Sequence, residues 1–514
     1  MTNTTAKFVA HARLKDIVGR GLINNDNTAI IELIKNSKDA QSKSVDIFFA
    51  DARKASKESL IVIQDFGKGM NIDDLQYKWL NIAYSEKKNS QPSKDEAYAG
   101  NKGIGRFACD RLGKTLSLFT RKRNGELLRL DIDWTDFEVD ERDTQIGSIP
   151  TEITSVSFDE FAEETGGLDR FTQGTTLVVR DLRSNWPKGR LNRLKKELER
   201  FVFDPKRQFT ITLHAEDYED DDELNGEVQN KIFDKLDFRT TSIVADVPAG
   251  GDKIEIALRH DGEEVFSITE RNPYRNLSDV KITVFFLNQA AKAFFRRQTG
   301  YRSINYGSIF LFLNGFRVMP YGEESDDWLA LDQRKAQGIR RYLSTRDLVG
   351  YIEIVDRHGA FQVVSSREGL VHNVAFNELT SESRLVRSAI DDELLYGLFH
   401  KVFRKLERFV VDGLDWDRLV QNFKDTDDLD EKTLKRLEYR TTGRKIFDTM
   451  IPAITIRTPK DHVIDVDVNM PHLVHMAEEE IASYDEFVDS LQERFKDVTV
   501  AKLTPSDNSA VNRT

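Results

Sequence analysis

The chain has 514 residues, 39% of them hydrophobic and 32% charged, so it is long enough for two or three domains with cores of their own. Its net charge of −12 argues against a non-specific nucleic-acid coat, which needs a surplus of Lys and Arg for phosphates. One cysteine, Cys109, excludes an internal disulfide and any Cys/His metal spacing, and it fits a reducing, cytoplasmic setting.

The opening stretch MTNTTAKFVAHARLKDIVG lacks the apolar centre of a signal peptide. No apolar run approaches the roughly 18 residues of a membrane helix, so no membrane partner is expected.

Residues 1–185 alternate helical and strand-like segments. IELIKNSKDAQSKSVDIFF, residues 31–49, begins as an amphipathic helix and ends as a strand. SVDIFFAD and SLIVIQDF read as neighbouring strands. KTLSLFTRKRNGELLRLDIDW carries Asn-Gly between two alternating runs, a hairpin signal. GTTLVVRDL reads as the last strand of this region. The fold class expected for the whole chain is α+β: an α/β sandwich first, an α/β domain second and a mixed, helix-rich domain last.

Residues 186–385 open with a charged helix, GRLNRLKKELERFV. QFTITLHA, KIEIALRH, KITVFFL, SIFLFLN and VGYIEIV follow as strands. The acidic run EDYEDDDELNGE between them reads as a solvated loop. FFRRQTGYR (294–302) and RKAQGIRR (334–341) are local basic patches against the acidic background.

Residues 386–514 begin with Val386, Ile390, Leu394, Leu398, Val402 and Leu406 at four-residue spacing. Leu395, Phe399 and Phe403 widen that stripe, which predicts a long helix buried on one side, internally or in a dimer. ITIRTPKDHVIDVDV reads as strands, AEEEIASYDEFVDSLQERF as a helix, and TPSDNSAVNRT as a tail.

Four short patterns carry chemistry. In the first helix Glu32 and Asn36 are four apart and share a face, with Asp39 continuing that side. Asp65 ends an apolar strand and is followed by Gly67 and Gly69, where a carboxylate can accept from an exocyclic amine and glycines admit a flat ligand. Gly100, Gly103 and Gly105 crowd the segment before a helical pattern, and backbone N–H groups at such a place bind phosphate oxygens. Gly174 and Thr175 open GTTLVVRDL. The glycine spacing is neither G-x-G-x-x-G nor G-x-x-x-x-G-K-[ST].

The order of these elements, E-x-x-x-N-x-x-D-A, D-x-G-x-G, G-x-x-G-x-G and G-T, resembles the GHKL ATPase superfamily of type II topoisomerases, the large heat-shock chaperone, histidine kinases and MutL. The resemblance implies the Bergerat nucleotide fold, with ATP under a flexible lid and Mg²⁺ at its phosphates. It implies that Asn36 holds Mg²⁺, a hard cation content with few protein ligands, and that Glu32 orients and deprotonates the attacking water. Asp39 falls at the adenine and ribose end, Asp65 on the adenine amino group, and Gly67 and Gly69 on the pocket floor. Gly100, Gly103 and Gly105 form the lid, Lys102 within it faces a phosphate or solvent, and Thr175 supports the adenine contact.

Further on, YGSIFLFLNGFRVMPYGEESDDWLALDQRK and FQVVSSREGLVHN resemble the transducer region of the heat-shock-chaperone and MORC-like branch. Arg367, in Ser366-Arg367-Glu368, matches the arginine that reaches the γ-phosphate in the chaperone branch, where positive charge stabilises phosphoryl transfer. Arg334 and Lys335 compete for that role. Asp326, Asp327 and Asp332 are expected to hold loops or cap helices rather than a metal.

The function expected is a slow ATPase that acts as a conformational clamp. It would close and homodimerise on ATP and act on a protein or nucleic-acid client, in stress or anti-phage defence by the same resemblance. A nucleotide-stabilised interaction protein is the alternative. A histidine kinase is disfavoured because the motifs begin near residue 30, which leaves no room for a preceding helical hairpin.

Overall fold

The protein is described by a computed structural model covering residues 10–14, 16, 20, 21, 23, 25–81, 107–138, 145–201, 209–229, 240–299, 302–324, 326–337, 341–364, 369–414, 446–476, 499 and 500. The chain divides into two compact units, Met1–Asn230 and Lys231–Thr514. Both are mixed α/β, as the α+β expectation required. The expected helix at 477–495 and the tail after 503 fall outside the described residues.

The first unit is built on one sheet. Its strands are β1 (Ser44–Ala50), β2 (Leu60–Asp65), β3 (Gly113–Arg121), β4 (Leu128–Asp133), β5 (Ile153–Ser155), β6 (Gly174–Leu182), β7 (Thr210–Ala215) and β8 (Gly226–Glu227). They lie in the order β5-β4-β3-β6-β2-β1-β7-β8. Helix α1 (Asp26–Asp39) precedes β1, a short α2 (Ala108–Leu112) leads into β3, α3 (Phe158–Thr165) precedes β6, and α4 (Lys188–Phe201) follows it. The β3–β4 hairpin turns where Asn-Gly predicted it, with Asn124 at φ 63°.

Sequence explains α1 turn by turn. Asn25 caps it, accepting from the Thr28 N–H at 2.8 Å. Asp26 in the first turn and Lys38 in the last oppose the helix dipole. Ala29, Ile30, Leu33, Ile34 and Ser37 are buried, so α1 lies against β1 and α2 by that stripe. Asp26 is itself buried and paired with Arg111 (2.8 Å) and Arg190. Burial pushes its carboxyl up, but bonds from Arg111, Ser184 and Arg190 win and hold it below the ordinary range. An aromatic cluster of Phe119, Phe161, Phe171 and Phe158 packs edge to face in the same unit, each buried ring contributing about 2–3 kcal/mol.

QFTITLHA, grouped with the second region on its sequence position, instead supplies β7, which pairs parallel to β1 and extends the first sheet. The acidic run after it begins with a short helical turn, Glu216–Tyr218, ends in β8 and is anchored: Asp217 accepts from the Ala52 N–H at 2.8 Å, and Asp221 pairs with Lys188 at 2.6 Å.

The second unit holds a nine-stranded sheet. Its strands are β9 (Thr241–Val247), β10 (Lys253–His260), β11 (Glu263–Arg271), β12 (Val280–Phe286), β13 (Ile309–Leu313), β14 (Phe316–Arg317), β15 (Leu348–Ile354), β18 (Val463–Val468) and β19 (Thr499–Val500), in the order β14-β13-β15-β12-β9-β10-β11-β18-β19. Helix α5 (Gln289–Thr299) follows β12, and α6 (Leu331–Lys335) and α7 (Val374–Thr380) flank β15 in the chain.

Two expectations change here. The long helix from residue 386 begins only at Leu398, as α8 (Leu398–Arg408). Residues 386–395 form a two-stranded hairpin instead, β16 (Val386–Arg387) with β17 (Leu394–Leu395), turning at Asp392 with φ 66°. Gly397 caps α8 where a Cβ would stand 2.4 Å from the Ser381 nitrogen. The four-residue spacing spans the hairpin by coincidence of its apolar residues with the α8 stripe. ITIRTPK is not a strand: Ile446–Thr455 form a helix, α9, and only Val463–Val468 pair with β11. The α8 stripe, Leu398, Phe399, Val402, Phe403 and Leu406, is buried in the core of this unit.

Candidate functional site

The polar residues of the first motif ride on α1. Ser37 lies among the buried positions, while Glu32 and Asn36 lie toward its open side, Asn36 exposed. Glu32 accepts from Lys35 Nζ at 3.0 Å, with only 12% of its side chain exposed. Asp39, at the end of the helix, is half-buried. The exposed amide oxygen of Asn36 is a hard, neutral donor that fits Mg²⁺.

Asp65 ends β2 in the middle of the sheet and is buried. Its Oδ1 accepts from the Gly67 N–H at 2.9 Å. Burial pushes its carboxyl up to about 7, against the pull of bonds from Gly67, Thr175 and the Ser37 hydroxyl. α1 therefore meets the strand end through Ser37, next in sequence to Asn36. A buried carboxyl whose oxygens keep acceptor capacity beyond these three bonds is suited to accept from a ligand amine.

The loop after Asp65 is threaded between two backbones. A Cβ on Gly67 would lie 2.5 Å from the Ala40 carbonyl oxygen, at the end of α1. Gly69 has φ +62°, and its Cβ would lie 1.9 Å from the Arg121 carbonyl oxygen at the end of β3. Lys68 N–H donates to Ala40 O at 2.8 Å, and Phe66 N–H to Ser42 Oγ at 2.9 Å. These glycines are fixed by close approach, so the loop holds one path.

Thr175 pairs in register with Asp65 across β2 and β6. Its hydroxyl lies 3.0 Å from that of Thr120 on β3. Thr120 Oγ1 also accepts from the Met70 N–H at 2.9 Å and lies 3.1 Å from Gly174 O. Thus Glu32, Asn36 and Asp39 share α1, and Asp65, Gly67, Gly69 and Thr175 converge beside it.

Ser37 and Thr120 escaped the sequence reading. One is a lone hydroxyl on a helix face, the other a threonine in an alternating strand, and only the strand order brings them to Asp65. Gly100, Lys102, Gly103 and Gly105 lie outside the described residues, as do Ser366, Arg367 and Glu368. Arg334 and Lys335 are engaged within the second unit: Arg334 pairs with Glu407 at 2.6 Å, and Lys335 with Asp347 at 2.7 Å. Asp327 accepts from the N–H groups of Leu331 (2.7 Å), Asp332 (3.1 Å) and Gln333 (3.0 Å), and Asp332 holds Thr345, which is the capping and loop-holding role expected of them.

Residues 23–167 match the family model described as histidine kinase-, DNA gyrase B-, and HSP90-like ATPase. The match supports the GHKL superfamily for this stretch and ATP binding by it. The match spans Glu32, Asn36, Asp39, Asp65, Gly67, Gly69 and the glycine-rich segment, and it stops short of Thr175. No curated protein matches the chain. Among the described residues no helix is long and apolar enough to cross a membrane.

Proposed function

We propose that this protein is a slow Mg²⁺-dependent ATPase of the heat-shock-chaperone/MORC-like branch, a clamp that homodimerises on ATP and acts on a protein or nucleic-acid client. The observation that carries the reading is the buried Asp65 carboxyl at the end of β2, framed by Gly67, Thr175 and Ser37. In this reading Asp65 takes the adenine amino group, supported by Thr175, and Gly67 and Gly69 floor the pocket. Asp39 lies toward the ribose, and Asn36 supplies an oxygen to Mg²⁺, which when bound shields the phosphate charge. Glu32 orients and deprotonates the water. Gly100, Lys102, Gly103 and Gly105 close on the phosphates. Residues 186–385 act as the transducer, from which Arg367 contacts the γ-phosphate and couples hydrolysis to domain position. Residues 386–514 carry client or dimer contacts.

Calorimetric titration with a non-hydrolysable ATP analogue tests this, paired with molar mass with and without nucleotide. Wild type is expected to bind and gain mass, Asp65→Asn to bind at least tenfold more weakly. Equal affinity in the two proteins removes the adenine assignment, and an unchanged mass removes the clamp. The Glu32–Lys35 ion pair favours a second reading, a nucleotide-stabilised interaction protein without turnover, because it occupies the base. Steady-state phosphate release separates the two.

A further inference from the structure

The second unit contains a cavity of about 320 Å³ that the ATPase motifs do not touch, lined by residues that include Tyr274, Tyr396, Lys401, Thr455, Arg457 and Thr458. We propose that it is a binding site for a small phosphate-bearing anion, with Arg457 and Lys401 as its ligands.

The argument begins with charge. Lys401 and Lys405 are both buried on α8 and share one buried carboxylate, Glu270 of β11. Lys401 is in direct contact with it, and Lys405 lies 3.8 Å away, turned to the Ile454 carbonyl and to Thr458 Oγ1 (2.8 Å). Arg334 and Arg404 likewise share Glu407, with Glu382 3.8 Å from Arg334. Arg457 makes no carboxylate contact among the described residues. Positive charge thus exceeds negative charge in a partly buried place, which is costly unless a counter-anion is supplied.

Arg457 is also held ready. It sits in the left-handed region, φ 57°, just after α9. Its guanidinium stacks on Tyr396, 3.6 Å from the ring centroid, and donates one bond, from Nη1 to the His400 carbonyl at 2.9 Å. Among the described residues the remaining guanidinium donors have no acceptor. A planar guanidinium with a parallel pair of free N–H groups is matched to the oxygens of phosphate. Lys401 has donors beyond the one used on Glu270.

The neighbouring His400 reports the same field. It is fully buried, and among the described residues neither ring nitrogen has a hydrogen-bond partner. Burial, with Arg457, Arg334 and Arg404 nearby, pushes its pKa down to about 3, so it adds no further cation at neutral pH. At the rim Arg384 and Glu393, 3.9 Å apart, offset each other and leave the inner charge to the ligand. The volume accommodates a phosphate with a small organic group.

The test uses the full chain with saturating ADP, so that the GHKL-type site is filled. Inorganic phosphate and phenyl phosphate are titrated by calorimetry into wild type and Arg457→Gln. Wild type is expected to bind at least one of them, and Arg457→Gln to bind about 10- to 100-fold more weakly, the loss of a charge-assisted bond. Which probe binds tighter tells free phosphate from a phosphate monoester. Should Arg457→Gln fail to fold, phenylglyoxal labelling of Arg457 in wild type, read by mass spectrometry, is expected to fall as phosphate is added. Absence of phosphate-dependent heat and of protection overturns the site. Equal phosphate affinity in the two proteins also overturns it, as does binding of duplex DNA alone that Arg457→Gln removes.

Discussion

Thr120 and Thr175 meet across β3 and β6, hydroxyl to hydroxyl at 3.0 Å, and so tie the strand beside Asp65 to the loop that follows it. Thr120 is the hub of this contact, because the Met70 N–H also donates to it. Thr120 is fully buried, and Thr175 is partly buried.

Thr120→Val keeps the shape and removes the acceptor for Met70. Leaving this partly buried N–H unpaired is expected to lower stability by about 1 kcal/mol. Because Met70 follows Gly69, the loss also loosens the floor beside Asp65, and nucleotide affinity should fall with it. Urea unfolding and nucleotide titration read the two effects. A variant as stable as wild type would show that the Thr120 bonds are replaced by water.

Asp65 predicts a pH dependence whose sign follows from burial. Its folded pKa is raised to about 7, so the folded apoprotein binds a proton that the unfolded chain, with an ordinary Asp, releases. Stability from this group is greatest below about pH 4 and is lost as pH rises from there to about 7, with a slope of at most about 1.4 kcal/mol per pH unit. The difference in unfolding free energy between wild type and Asp65→Asn, measured from pH 5 to pH 8, should show this slope. In the proposed complex an adenine amino group donates to the ionised carboxylate, so binding at pH 6.5 should release up to one proton. Calorimetry in two buffers of different ionisation enthalpy measures that release. None in wild type would mean that Asp65 does not meet the ligand as a carboxylate.

Some of this was legible in the chain and some was not, for physical reasons. α1 was readable because its burial stripe has helical period, and the β3–β4 turn because Asn124 takes positive φ readily. The Asp65-x-Gly-x-Gly loop announced close approach, and the structure supplies the neighbours, Ala40 and Arg121. Ser37 and Thr120 carry no such mark, since a single hydroxyl gains meaning only from the strand order. β7 was misgrouped because a parallel strand reaches its partner through a long crossover, and periodicity says nothing of which sheet it joins. Lys401 and Lys405 look like the solvated face of α8, yet Glu270 on β11 draws them into the core.

That burial gives a third prediction. Glu270 is fully buried and binds Lys401 directly, while Thr458 Oγ1 donates to it at 2.8 Å. Burial acts to raise its carboxyl, but Lys401 and Lys405 outweigh it and hold the pKa low. Glu270→Gln leaves two ammonium groups without their shared partner. A loss of about 3–5 kcal/mol is expected on breaking such a buried pair from one side. Chemical denaturation monitored by tryptophan fluorescence measures it. An unchanged midpoint would mean that the lysines are neutral in the folded protein.

The last prediction concerns Glu32, the proposed base. Its Oε1 accepts from Lys35, one turn further along α1, and the pair is largely shielded from water. Glu32→Ala removes the group that orients and deprotonates water but none of the residues assigned to adenine. Turnover should therefore fall by about 10²- to 10⁴-fold, the usual contribution of a positioned acid or base. Affinity for a non-hydrolysable ATP analogue should stay within about threefold of wild type, since a general base acts on the transition state and not on ground-state binding. Lys35→Met separates the carboxylate from its ion pair: the base remains, so turnover should persist, within about tenfold of wild type. Phosphate release at saturating ATP distinguishes these outcomes. If Glu32→Ala hydrolyses ATP as fast as wild type, the base lies elsewhere, and α1 contributes to binding alone.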